Sequence, residues 1–123
     1  MSNSESDFEQ WLQARHAATD GFTALILLVT IGARVDMTAC AYLHVIGDEV
    51  TWPEMKQLID QNGKAWDGVA IFSESDGDGG PVIDLVAQSR LQDRIDAVTA
   101  DRMVLNEAGF FDPKGRLIRI DPL

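Results

Sequence analysis

The sequence predicts an α/β or α+β protein: a single domain in which one mixed sheet of about four to six strands carries two or three helices. Three observations point there. The run Phe22 to Ile31 is rich in Leu, Ile, Val and Thr and reads as a buried strand. The tetrapeptide Thr51-Trp52-Pro53-Glu54 opens the most firmly signalled helix of the chain. The length, 123 residues with 46% apolar, suits one core that needs no staples, because such a chain buries roughly two-thirds of its unfolded surface.

Residues 1–6 are small and polar and read as a flexible lead-in, with the globular domain spanning 7–123. From Asp7 to Ala18 the apolar positions Phe8, Trp11 and Leu12, with Arg15, follow helical spacing, and Ser4 or Ser6 is available as a cap. Asp20-Gly21 stops that helix. After the strand at 22–31, Gly32 to Asp36 reads as a connection and Met37 to Ile46 as a second strand, completing a hairpin. Alternation places Met37, Ala39, Ala41, Leu43 and Val45 on one face, and Thr38, Cys40, Tyr42, His44 and Ile46 on the other.

Gly47-Asp48-Glu49 reads as a turn. Thr51 then caps the next helix, Pro53 sits in the first turn where its missing N–H costs nothing, and Glu54 completes a capping box. Trp52, Met55, Leu58 and Ile59 form its apolar stripe, and Asn62-Gly63 ends it. Val69 to Phe72 is the following strand. A helical connection between two strands of one sheet makes them parallel.

Ser73 to Gly80 is an acidic, glycine-rich loop. In Pro81 to Arg102, Val82, Leu85 and Val86 fall on one side of a helix, with Leu91, Ile95 and Val98 nearly opposite. One straight helix would have to bury both sides. The sequence therefore favours a break or a kink near Gln88; in the broken version Ser89 caps a fresh helix through Ser89-x-x-Gln92, and 82–86 is a strand or a short helical piece. Asp112-Pro113-Lys114-Gly115 suits a tight turn joining Phe110-Phe111 to Leu117–Ile120 as a terminal hairpin.

Twenty acidic residues against ten basic ones give a net charge of −10. That field repels nucleic-acid phosphates and anionic membranes and favours solubility or a basic partner. No basic n-region precedes an apolar run, so no secretory signal is expected. The longest apolar run, Ala24 to Val29, is far too short to span a bilayer. The single Cys40 excludes an internal disulfide. Together these features describe an acidic, soluble, cytoplasmic protein of bacterial type.

The 73–80 loop is the leading candidate site. Glu74, Asp76 and Asp78 alternate before Gly79, as in loops that offer oxygens to Ca²⁺ or Mg²⁺. The match stops at Leu85, which stands where a closing bidentate glutamate belongs. A phosphate cradle at Gly77-x-Gly79-Gly80 conflicts with the absence of any basic residue from Ala65 to Ser89. Tyr42 and His44 share a strand face with Cys40, a pairing that a nucleophile and its base would need. A packed thiol and a hydrogen-bonded histidine explain the same residues. Trp66 beside Asp67 suits either a core anchor or a partner surface. Lys114, Arg116 and Arg119 are the only local basic cluster.

No catalytic constellation and no cofactor motif emerge. The sequence favours a non-catalytic binding or regulatory module that meets a basic protein partner or a second copy of itself, a homodimer being common for such domains. The other reading is a small enzyme or a ligand- or metal-binding domain with a pocket near the 73–80 loop.

Overall fold

Phe22–Ile31 forms β1, and the rest of the chain is arranged around it. The computed structural model describes residues 6–19, 21–32, 34–45, 50–61, 63, 65–76 and 79–120. The expectations for residues 1–5, Asp20, Ile46, the Gly47–Glu49 turn, Asn62, Gly77 and Asp78 lie outside the described residues. In chain order come α1 (Asp7–Thr19), β1, β2 (Val35–Val45), α2 (Trp52–Asp60), β3 (Gly68–Glu74), α3 (Asp84–Ala100), a short 3₁₀ helix (Arg102–Glu107) and β4 (Gly109–Phe111). The four strands make one sheet in the order β2-β1-β3-β4.

Every pairing in this α+β sheet is antiparallel, where the sequence suggested a mixed sheet. β2 and β3 do run in the same direction, as their helical crossover demands, but β1 lies between them. Helices cover both faces, which is why β1 is apolar without alternation. Ala24, Ile26 and Leu28 face α1 and α2 together with Val69, Ile71 and Phe111. Leu25, Leu27 and Val29 face α3 and the 3₁₀ helix together with Ala70, Phe72 and Phe110.

α1 begins with a capping box at Ser6: its Oγ accepts from the Glu9 N–H at 3.2 Å, and its own N–H donates to Glu9 Oε1 at 2.8 Å. The other oxygen of Glu9 accepts from the Trp52 N–H at 2.6 Å, so one carboxylate joins the starts of α1 and α2. Burial works against the charged form of Glu9, but these bonds from Ser6 and Trp52 outweigh it and hold the carboxyl below its ordinary range. The capping box at Thr51 forms as the sequence predicts, with Pro53 in the first turn. Phe8, Trp11, Phe22, Trp52, Trp66 and Phe111 form a chain of ring contacts; Phe8 lies 5.2 Å from Trp52 and 5.6 Å, edge-on, from Phe111.

The tail closes over this cluster. Gly115 donates to the Asp112 carbonyl at 2.9 Å, and Ile118 donates to the Phe110 carbonyl at 2.8 Å. The predicted second arm of this hairpin reduces to one bridge, Phe111 with Leu117. Gly115 has φ +77°, and a Cβ there would lie 2.7 Å from Trp52 Cγ, so conformation and space both require glycine.

Three further expectations fail, each for a packing reason. α3 is one continuous helix of 17 residues rather than two pieces. Leu85 stays 75% exposed, so the helix buries one side only, through Ala87 and Val98 with Leu91 and Ile95 partly covered. In α2, Leu58 is 49% exposed although it belongs to the apolar stripe. Finally, Leu28 pairs with Ala39 and Val29 with Met37, which makes Thr38 the extra residue of a bulge. The bulge moves Met37 to the α3 side, where it packs with the cluster that Tyr42 also joins.

Candidate functional site

An apolar groove beside β2 and a polar region at the end of β3 both stand open to solvent. The groove follows from the bulge and from α2. Beyond Thr38 the odd residues of β2 face α2, and the helix turns Met55 and Ile59 toward the sheet. Between them lies a cavity of about 250 Å³ walled by Ala39, Ala41, Leu43, Met55, Leu58 and Ile59, with Ile26 and Leu28 beneath. β2 is an edge strand with β1 as its only sheet neighbour among the described residues. The groove therefore lies beside a row of backbone groups available for pairing.

Trp66 does not line this groove. It is half-buried, 6.3 Å from Trp52 by ring centroids, and its indole N–H donates to Asp60 Oδ1 at 2.9 Å. Hydrogen bonds from Lys56 and then Trp66 hold the Asp60 carboxyl below its ordinary range. The residue acts here as an anchor between α2 and the Trp52 cluster.

His44 sits in a chain of hydrogen bonds instead of beside a nucleophile. Its Nε2 lies 2.7 Å from Asp84 Oδ1, and its Nδ1 lies 2.9 Å from Thr23 Oγ1. Thr23 Oγ1 accepts from the Val82 N–H at 3.0 Å. With that bond made, the Thr23 hydroxyl can donate to Nδ1 in the tautomer whose Nε2–H faces Asp84. Threonine, histidine and aspartate are the members of a hydrolytic triad, but their arrangement differs. The carboxylate is on Nε2 and the hydroxyl on Nδ1, the reverse of the working order. Thr23 is also completely buried, so no substrate reaches it. Cys40 is exposed and four residues along the strand, roughly 13 Å from His44 at the usual rise. The Tyr42 ring lies 5.7 Å from the His44 ring, tilted 59° to it. The group ties β1, β2 and the approach to α3 together. Thr23 and Asp84 were missed in the sequence. The available signal was a hydroxyl among the buried apolar residues of β1, which must find a partner.

In the acidic loop, Glu74 points at α3. Arg94 Nη2 donates to its Oε2 at 3.0 Å, and Arg90 Nε lies 4.0 Å from Oε1. The Arg94 guanidinium also stands 4.7 Å from the centre of the Phe72 ring. The stretch without basic residues ends at Ser89, and the cations that answer the loop follow it immediately, one helical turn apart. A cation at Glu74 would have to displace Arg94. Asp76 shapes a turn in which its N–H donates to the Gly80 carbonyl at 2.9 Å; Asp78 lies outside the described residues. Among the described residues, no group of three or more His, Cys, Asp or Glu could hold a metal ion. Of the C-terminal basic cluster, Arg116 is bound by Asp112 at 2.7 Å.

On the far side of the Glu74–Arg94 pair is a second cavity, of about 130 Å³. It is lined by Trp11 and Arg15 of α1, Ile71 to Ser73 of β3, Arg94 of α3, and Glu107 to Gly109. Among the described residues, no helix is long and apolar enough to cross a membrane. No protein-family model, curated protein or solved structure matches the chain.

Proposed function

We propose that the protein is a soluble, cytoplasmic, non-catalytic binding module that captures an extended, basic segment of a partner protein along β2. The observation that carries this reading is the apolar groove of about 250 Å³ beside a strand edge that has no partner among the described residues. An added strand gains main-chain hydrogen bonds from such an edge, and alternate apolar side chains find the wall formed by Leu58, Met55 and Ala41. Charge selects the partner. A net −10 favours a cationic segment and opposes the approach of an identical copy, because long-range fields govern encounter and register. The His44–Thr23–Asp84 chain supports a structural role for the polar groups next to β2.

Fluorescence anisotropy with a labelled nonapeptide alternating Lys and Val is the test. Saturable binding that weakens with added salt, and falls about tenfold in Leu58→Glu, is expected. Equal binding of an alternating Glu and Val peptide would remove the charge argument. A concentration-dependent dimer in light scattering, with no peptide binding, would assign the edge to a second copy instead.

A further inference from the structure

We propose that the cavity at the outer end of β3 binds a small organic carboxylate. β4 pairs with β3 only from Val69 to Ile71, so beyond Ile71 the outer edge of β3 has no strand partner among the described residues. Two helices on opposite faces of the sheet reach around that open end. α1 brings Trp11 and Arg15, which share one helix face at i, i+4 spacing, and α3 brings Arg94. Ser73 adds a hydroxyl from β3.

Gly109 shapes the wall. A Cβ at this position would lie 2.6 Å from Trp11 Cε2 and 2.8 Å from its Nε1, so glycine lets the nitrogen edge of the indole lie against the start of β4. Among the described residues, that indole N–H and the Ser73 hydroxyl have no hydrogen-bond partner. Arg94 Nη2 donates to Glu74, and a guanidinium carries five N–H donors, so Arg94 keeps others for a ligand. Arg15 is engaged within the protein and adds its positive charge to the wall. The cavity thus gathers donors from a chain with ten basic residues in all.

The ligand class follows from charge and size. Glu107 lines the same cavity and Glu74 stands beside it, in a protein of net −10, which penalises a phosphate dianion. A planar carboxylate carries one charge and matches the guanidinium fork. About 130 Å³ admits an acid of a few carbons, well below a drug-sized pocket. Glu107 has no partner among the described residues and can accept from an ammonium, so an amino acid and a simple carboxylic acid both present the required group.

The test follows the three tryptophan indole N–H signals of ¹⁵N-labelled protein during titration with sodium propionate, alanine or sodium phosphate, against sodium chloride at matched ionic strength. The Trp11 signal is the one that disappears in Trp11→Phe. A saturable shift of that signal with propionate or alanine, with the other two indoles unmoved, is expected. Arg15→Gln, on an exposed helix position whose spectrum reports its own folding, should weaken binding about tenfold. Glu107→Gln weakening alanine alone assigns an amino acid; equal effects on both assign a plain carboxylate. A shift reproduced by phosphate or chloride, an unchanged affinity in Arg15→Gln, or no saturable shift with either organic acid at high-millimolar concentration overturns the proposal.

Discussion

β2 and β4 are both edge strands, yet β2 runs eleven residues and β4 three. The short edge is closed. The Asp112 turn folds the tail back on Phe110 and Phe111, Leu117 donates to Asp7 Oδ2 at 2.9 Å, and Asn106 exchanges two 2.8 Å bonds with the backbone of Ile120. The long edge is open. What guards it is the bulge at Thr38 and an exposed Arg34–Asp36 pair, devices that bend or charge an edge without covering it. The aromatic cluster packs beneath the closed β4 side, and the recognition proposed above falls on the open β2 side.

Substitutions can break this contrast. Phe111→Ala, in the fully buried ring cluster, should cost about 3–5 kcal/mol in urea unfolding; a cost below 1 kcal/mol would mean that the closed edge is not where the fold is held. Thr23→Val keeps the shape but leaves the Val82 N–H and one nitrogen of His44 without a partner, for about 2 kcal/mol. His44→Gln combined with it should be sub-additive, since the two residues share one network.

Acid sharpens the comparison. Burial opposes the charge on Asp112, but hydrogen bonds from the Arg116 backbone and guanidinium and the Lys114 backbone outweigh it, and its carboxyl lies below the ordinary range. A carboxyl lowered by folding contributes stability that is present above its unfolded value, near 3.9, and lost as pH falls through the lower folded value. Asp112→Asn should cost about 1–2 kcal/mol at pH 7 and flatten the loss of stability below about pH 4. An unchanged acid slope would show that other groups, Glu9 first, carry it. The smallest effect is expected at the open edge: Leu58→Glu should alter stability by no more than about 0.5 kcal/mol while weakening peptide capture. A large loss of stability there would show that the groove belongs to the core.

How much could be read in advance follows from the range of each interaction. The start of α2 was legible because Thr51, Pro53 and Glu54 meet within one turn. The Asp112–Gly115 turn was legible for the same reason. The continuity of α3 was not, because Leu85 and Leu91 look equally apolar and only the sheet decides which is covered. The candidate site was legible in part. Glu74 was named, but its meaning depends on Arg94, twenty residues away, which turns an apparent cation ligand into half of an ion pair. His44 was named without Thr23 and Asp84.

By itself the sequence determined the elements with local signals: a buried strand, two capped helices, a tight C-terminal turn, and a charge of −10. Tertiary structure decided which edge stays open, where the bulge falls, and which charges neutralise one another. Those outcomes depend on groups brought together from distant parts of the chain, and their energies depend on burial and distance, which spacing along a sequence does not encode.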